Sequence, residues 1–221
     1  MMPDAGLQVG SRGCASDAIH DAAFSASQPA PGLAWLDIGC GRGDLVRTIR
    51  KFDPDASVAG IDAIDWLPPD LRQEVDLLVA PAEEGLDAAQ PADRVMMIEV
   101  LEHFEAPWTV LRKAARLVAP GGLLVLSTPN IATLRHRIEL AARGGLTSFR
   151  PDHPPHLTPA LPHVIERLLV DEGLRVTTSY AGHDIVPLSG GRPWPAFLHA
   201  RLGRLTRTSL LVVGARAATG T

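Results

Sequence analysis

The stretch WLDIGCGRGDL, residues 35–45, decides the fold of this chain. The apolar run at 34–38 that leads into it predicts a short buried strand. Three glycines then alternate through a tight turn, where glycine permits positive φ and lets a ligand approach the backbone closely. From Asp44 onward, apolar residues recur at the spacing of a helix. A strand, a glycine turn and a helix in this order are typical of nucleotide binding at the carboxyl end of a parallel sheet.

The charges around this turn indicate which nucleotide it binds. The turn reads G-x-G-x-G, whereas the dinucleotide fingerprint G-x-G-x-x-G holds a pyrophosphate at a helix N-terminus. Asp44 stands where the last glycine of that fingerprint belongs, and Asp37 lies just before the turn. Two carboxylates repel a pyrophosphate at close range, and they suit a cationic ligand such as S-adenosylmethionine, with its ammonium and sulfonium groups. The next predicted strand, 57–62, ends in Asp62, the place for an acid that binds ribose hydroxyls. A dehydrogenase site and a turn that binds nothing are the alternatives.

The strings LDIGCGRG and GID resemble motif I and the acidic post-I loop of class I S-adenosylmethionine-dependent methyltransferases. The resemblance runs over about residues 33–173. It implies a Rossmann-like, doubly wound α/β sheet of about seven strands, mostly parallel with an antiparallel last strand. It also implies cofactor contacts at Asp37, Gly39, Cys40, Gly41, Asp62, Ala63, Ala82, Glu83, Ile98 and Glu99.

The rest of the chain alternates predicted strands with predicted helices, which argues for a parallel sheet with helices on both faces. We expect strands at 34–38, 57–62, 75–79, 93–98, 123–127, 174–180 and 210–214. We expect helices at 44–53, 107–119 and from the N-cap Thr158 to Gly173, and residues 131–143 can also be helical. Residues 16–24 could form a short helix, but a loosely ordered tail is the favoured interpretation. Within 131–143, the residues expected to face inward are Ile131, Leu134 and Ile138. The crossover at 63–74 contains two prolines and should form one short helix or a turn.

Two parts of the chain differ in composition. Residues 1–30, rich in small and polar residues, are expected to form an N-terminal tail or a lid over the cofactor. Residues 31–217 should form the methyltransferase domain, with substrate-side insertions at about 131–160 and 188–207.

Composition excludes several classes of protein. The 221 residues are 46% hydrophobic with a formal net charge of -4, so the chain is globular and has no global basic field to recruit nucleic acid. Its two cysteines, Cys14 and Cys40, do not suggest a disulfide framework or a cysteine-based zinc site. The sequence shows neither a long apolar run nor the features of a signal peptide, so we expect a cytoplasmic protein.

A second string carries the candidate chemistry. IEVLEHFEAP, followed by LVAPGG and STPN, resembles ubiquinone-biosynthesis-type O-methyltransferases and their small-molecule relatives. The resemblance implies that Ile98 lies beside the adenosine and that Glu102 and His103 face the substrate. An oxygen nucleophile must lose its proton to a general base or near a Lewis acid. The catalytic candidates are therefore His103 together with His153 and His156 of the following loop.

The same string is compatible with a metal site. If residues 99–103 form a helical turn, Glu99, Glu102 and His103 share one face. Such ligands suit Mg²⁺, Mn²⁺ or Zn²⁺, with His153 or His156 as a fourth ligand. Small-RNA 2′-O-methyltransferases are similar here, with a Glu-x-x-Glu-His motif and a later histidine for a divalent metal. In the alternative interpretation, the two glutamates organise loop amides and His103 acts alone as a base.

The expected function is S-adenosylmethionine-dependent O-methylation of a small-molecule acceptor. A metal-dependent RNA 2′-O-methyltransferase and a non-catalytic cofactor-binding module are the alternatives. Arginines alternate with apolar residues over 192–207, which suggests either a peripheral membrane contact or a helical hairpin packed on the core. The loop sequence DHPPH at 152–156 departs from the quinone enzymes and disfavours an aromatic quinone-like acceptor. His136 and His163 are expected at the surface, and His20 carries no motif.

Overall fold

The computed structural model describes residues 15–150, 156–184 and 204–219. The strands are β1 Ala34–Ile38, β2 Ser57–Asp62, β3 Asp76–Val79, β4 Ala92–Ile98, β5 Val118–Pro129, β6 Leu174–Asp184 and β7 Arg207–Arg216. The helices are α1 Asp17–Ala26, α2 Asp44–Phe52, α3 Ala82–Ala88, α4 Pro107–Arg116, α5 Leu134–Arg143 and α6 Pro162–Asp171. Single 3₁₀ turns occur at Leu101–His103 and Thr147–Phe149.

The strands form one sheet in the order β3-β2-β1-β4-β5-β7-β6. The pairs among β1 to β5 are parallel, whereas β7 is antiparallel to both β5 and β6. The doubly wound sheet of seven strands with an antiparallel last strand is therefore confirmed. Because the chain order reverses between β1 and β4, the carboxyl ends of these strands flank a crevice where ligands bind in such sheets.

Apolar side chains cover both faces of the sheet. On one face, α4 and α6 bury Leu111 and Ile165 against the strands. On the other face, α1 and α2 bury Ala23 and Ile49 beside Trp35. Two cores of this kind account for strands that read as nearly continuous apolar runs.

A buried arginine fixes the segment that follows α1. Arg94 in β4 is only 9% exposed. Its guanidinium donates hydrogen bonds to the main-chain oxygens of Ser27, Gln28 and Asp93. Residues 16–24, for which the sequence favours a loosely ordered tail, instead lie largely in α1, and Arg94 fixes the segment at its C-terminal end to the sheet.

Several expected boundaries are wrong. The helix expected to reach residue 119 ends at Arg116, and β5 already begins at Val118. The helix expected from Thr158 begins at Pro162, because the Thr158 N–H instead donates to the main-chain oxygen of Glu102. The last two strands extend beyond 174–180 and 210–214, since each pairs with the other along most of its length.

The inward face expected for residues 131–143 is also wrong. Leu134 and Ile138 are 42% and 53% exposed, and the buried residue of α5 is His136, expected at the surface. The Thr133 hydroxyl caps α5 by accepting a hydrogen bond from the His136 N–H. This start places His136 inward, where its ring contacts the Asn130 carbonyl at 2.9 Å.

Within the described ranges, no helix is long and apolar enough to cross a membrane. Most of the segment expected to contact a membrane, 192–203, lies outside the described residues. Of its remainder, Arg204 is exposed, and Arg207 donates a hydrogen bond to the main-chain oxygen of Gly182. The membrane contact stays a prediction.

Candidate active site

The glycine turn has the backbone that its sequence predicts. The φ angles of Gly39, Gly41 and Gly43 are 76°, 50° and 78°, which side chains rarely adopt. A Cβ on Gly39 would lie 2.5 Å from Cγ2 of Val100, two residues after the end of β4. Glycine at position 39 is therefore required both by its φ and by contact with the segment that follows the neighbouring strand.

Asp62 at the end of β2 anchors this turn. One carboxylate oxygen accepts a hydrogen bond of 2.9 Å from the Gly41 N–H, and the other accepts one of 3.1 Å from the Ile64 N–H. Each carboxylate oxygen has two lone pairs, so both can still accept a hydroxyl proton from a ligand. The half-buried side chain thus fits the ribose-binding role predicted for it.

Asp37, near the end of β1, is a buried acid whose negative charge is not balanced by a cation in the described residues. The residue is only 3% exposed. Burial, followed by the negative charges of Asp62 and Asp44, raises its pKa to about 7. Within the described residues, neither a cation nor a hydrogen bond offsets these effects. A positively charged ligand would stabilise the ionised form, whereas a pyrophosphate would meet three acids.

The other residues predicted to contact the cofactor lie on the same edge of the sheet. Cys40 is buried, and burial raises the pKa of its thiol, so it packs beneath the turn rather than reacting. Ala63 follows β2 and is exposed, and Ile98 ends β4. Ala82 and Glu83 begin α3, shortly after the Ala80 N–H that bonds to the Asp62 carbonyl at 2.9 Å.

Glu99 has a backbone unusual for a residue with a side chain. Its φ is 50°, and its N–H donates to both the carbonyl and the hydroxyl of Ser127. Burial raises the pKa of its carboxyl to about 7, although hydrogen bonds from Ser127 and Ser209 oppose this shift. Its Oε1 atom is buried without a partner in the described part of the chain. Strained backbone of this kind concentrates at functional sites.

Glu99 borders an open cleft of about 280 Å³ between α1 and the carboxyl ends of β4 and β5. His136, Ile19 and Pro129 form part of its wall. Hydroxyl side chains form much of the rest: Ser16, Thr133, Ser148, Thr208 and Ser209. The sequence did not reveal this hydroxyl lining, because its members come from four separate segments.

A second group of side chains surrounds the Leu101–His103 turn. Ligand atoms of Glu102, His103 and His156 all lie within 4.8 Å of one another. The main-chain oxygen of Glu102 accepts hydrogen bonds from Leu157 and Thr158, which hold His156 against the turn. The rings of His103 and His156 are 4.9 Å apart.

Glu102 is the buried member of this group. It is 1% exposed, and burial together with the nearby Glu99 raises its pKa well above the usual range of a glutamate. One oxygen accepts a hydrogen bond of 3.1 Å from the Thr128 hydroxyl, while Oε1 has no partner among the described residues. Glu99, predicted with Glu102 and His103 as a ligand, lies outside the group, since only 101–103 form the turn. His153 lies outside the described residues.

A family model for a methyltransferase domain matches residues 12–179 of the chain. The chain belongs to this methyltransferase family. The match covers the glycine turn, both acids beside it and the Glu102 turn. It confirms the class I S-adenosylmethionine-dependent methyltransferase resemblance seen in the sequence.

Curated relatives of this methyltransferase are ubiquinone biosynthesis O-methyltransferases. The chain is 37% identical to that of a Caulobacter species over 108 residues, 46% of this chain and 43% of the relative. It is 29% identical to that of Rhizobium leguminosarum over 171 residues, 74% of this chain and 64% of the relative. The chain thus spans less than half the length of several curated relatives, 35% for the mitochondrial protein of Arabidopsis thaliana.

Solved structures support the fold of this methyltransferase. A methyltransferase from Archaeoglobus fulgidus has a TM-score of 0.63 at 17% identity, over 87% of this chain and 90% of that one. The N-methyltransferase NodS from Bradyrhizobium japonicum, solved with S-adenosyl-L-homocysteine, has a TM-score of 0.56 at 15% identity, over 89% of this chain and 85% of that one.

Proposed function

We propose that this methyltransferase transfers the methyl group of S-adenosylmethionine to an oxygen atom of a small polar acceptor. The observation that carries the proposal is Asp37, a buried acid beside a glycine turn that nothing in the described chain neutralises. The cofactor's methionine end brings the missing positive charge. The relatives named as O-methyltransferases support oxygen as the acceptor atom.

The proposal assigns a role to each residue on the carboxyl edge of the sheet. The turn that follows Asp37 holds the methionine end, and the carboxylate of Asp62 accepts hydrogen bonds from the ribose hydroxyls. The remaining contacts, to adenine and the adenosyl carbons, come from Ala63, Ala82, Glu83, Ile98 and the Glu99 backbone. Val100 lies against the turn at Gly39 and restricts the space beside it.

Chain residues then position and deprotonate the acceptor. When bound, S-adenosylmethionine supplies an electrophilic methyl group for an in-line displacement, whose rate depends on how the nucleophile is held. The hydroxyl-lined cleft binds a polar acceptor next to Glu99, whose carboxyl has a raised pKa that suits a general base near neutral pH. His103 and His156 are the other candidate bases, with His153 from the same loop.

The Glu102–His103–His156 group also has the composition of a divalent-metal site. Two imidazole nitrogens and one carboxylate oxygen suit Zn²⁺ or Mn²⁺, and Mg²⁺ less well. The buried, unpartnered Oε1 of Glu102 would gain a partner from such an ion. A metal held here would lower the pKa of an acceptor hydroxyl, which is the second route to deprotonation.

Calorimetric titration tests the cofactor assignment. We expect S-adenosylmethionine and S-adenosylhomocysteine to bind the wild type and NAD not to bind. Asp62→Ala should abolish detectable binding, while Asp55→Asn, an exposed acid, should leave it unchanged. Radiolabelled methyl transfer to 3,4-dihydroxybenzoate and to methyl glucoside then tests the acceptor class. Binding of NAD without binding of either adenosyl ligand would contradict the proposal.

A further inference from the structure

The inner face of α1 carries polar atoms that nothing in the described chain satisfies. Ile19 and Ala23 on this face pack into the core. Ser16 and His20, one helical turn apart, lie beside them. The Ser16 hydroxyl and both ring nitrogens of His20 are buried without a hydrogen-bond partner among the described residues. An imidazole carries at least one N–H in every protonation state near neutral pH, so a buried donor is left unused.

Two observations place His20 beside the mouth of the glycine turn. Burial lowers the pKa of its ring, and the strongest opposing effect comes from Asp44, ahead of Asp17 and Asp21 of its own helix. Asp44 begins α2, directly after the glycine turn. In addition, α1 packs against α2, and Ser16 and Ile19 reach the acceptor cleft. The inner face of α1 therefore borders both halves of the candidate site.

The electrostatics of the turn create a need for such a donor. A methionine end carries a carboxylate as well as an ammonium group. Asp37 and Asp44 attract the ammonium group but repel the carboxylate. A buried N–H from the covering helix would offset this repulsion and satisfy an atom that otherwise lacks a partner.

We propose that His20 binds the α-carboxylate of S-adenosylmethionine through a ring N–H, while Asp37 binds the ammonium group. The inference rests on the proposed function. This contact makes α1 part of the cofactor site. The segment expected to act as a lid would then donate a specific hydrogen bond in addition to covering the cofactor. Arg42 in the glycine turn is exposed, and its positive charge is the other candidate for attracting the carboxylate. The variant Arg42→Ala therefore serves as the comparison.

Three ligands separate these contacts in calorimetric titrations. S-Adenosylmethionine has both groups, decarboxylated S-adenosylmethionine keeps only the ammonium group, and 5′-methylthioadenosine has neither. We expect His20→Phe, which keeps an aromatic ring but removes the donor, to weaken S-adenosylmethionine about 10- to 100-fold. Its affinities for the other two ligands should stay within about twofold of the wild type. His20→Gln, which keeps an N–H donor, should recover most of the loss.

Two further variants serve as controls. Asp37→Asn should weaken both ligands that carry the ammonium group and spare 5′-methylthioadenosine. His163→Ala, an exposed histidine of α6, should change none of the three affinities. Circular dichroism and the thermal midpoint establish that the His20 variants retain the fold.

The outcomes distinguish the inference from the proposed function. A wild type that binds none of the three ligands would refute the proposed function. Equal weakening of all three ligands by His20→Phe would show that the ring acts only by packing, and would overturn the inference. Unchanged binding of S-adenosylmethionine by His20→Phe, or a larger loss with Arg42→Ala that is specific to the carboxylate, would overturn it as well.

Discussion

Replacing Asp37 with asparagine should stabilise the ligand-free protein and impair its cofactor site. Asparagine nearly keeps the shape of the side chain but carries no charge to desolvate. The ligand-free protein holds this acid at 3% exposure with its pKa raised to about 7. The residue therefore lowers stability when it ionises, which is expected of a group kept for binding.

The size of the effect follows from the pKa shift. A change from 3.8 to about 7 corresponds to about 4 kcal/mol at about 1.4 kcal/mol per unit. Since the folded-state pKa is the higher one, the native state binds a proton that the unfolded state lacks between these values. The free energy of unfolding therefore falls as the pH rises from 3.8 to about 7 and levels off above it. Burying the asparagine amide costs about 1–2 kcal/mol, so we expect the free energy of unfolding to rise by a net amount of about 2–3 kcal/mol at pH 8.

Urea unfolding of both proteins between about pH 4 and pH 8.5 measures this gain. The other carboxylates are common to both proteins, so their contributions cancel when the two free energies of unfolding are subtracted. The difference between Asp37→Asn and wild type should grow through the window and then stay constant. Asp55→Asn, an exposed acid, should show no such trend. At the same concentration, S-adenosylmethionine should stabilise the wild type more than Asp37→Asn. A variant that is less stable than wild type at pH 8, or that binds the cofactor equally well, would refute the reasoning.

Three further predictions concern the rest of the site and its support. Gly39→Ala should lower the free energy of unfolding by about 2–5 kcal/mol, from its φ and the contact with Val100; urea unfolding should show partial recovery in the double variant with Val100→Ala, and additive effects would argue against a clash. Arg94→Met should cost about 2–4 kcal/mol, because it leaves the buried Ser27 carbonyl without its donor, and it should speed amide exchange in α1; unchanged exchange in α1 would show that Arg94 does not hold this helix on the sheet. After chelation, the wild type should bind one Mn²⁺ or Zn²⁺ ion in calorimetry, and Glu102→Gln and His156→Ala should lose it; equal binding by these variants would exclude the group as the metal site.

The sequence predicts the amino-terminal half of the sheet well because its signals are local. Apolar runs fix β1 and β2, and the glycines between β1 and α2 have the positive φ that their spacing implies. As expected, Asp37 lies one residue before the end of β1 and Asp62 ends β2. Here local propensity and the final fold agree, which is the condition for prediction from sequence.

Other parts of the fold depend on contacts between distant segments that no local pattern shows. The apolar spacing of 131–143 suggested inward leucine and isoleucine, yet His136 is inward because Thr133 fixes where α5 begins. Arg94 lies in the strand expected at 93–98, but nothing near it in the sequence shows that the distant carbonyls of Ser27 and Gln28 accept its hydrogen bonds. His20 lacked any motif, because its environment arises from the packing of one helix on another.

The contact between Val100 and Gly39 restricts how new acceptor ranges can be engineered. Gly39 follows β1 and Val100 follows β4, and there is no space between them for an additional methyl group. Larger side chains at either position would therefore push the ends of β1 and β4 apart. Mutant libraries for directed evolution should therefore keep this pair constant. Diversity belongs at Ser148, whose half-buried hydroxyl lines the acceptor cleft, whereas Thr133 and Ser209 are buried and Thr133 caps α5.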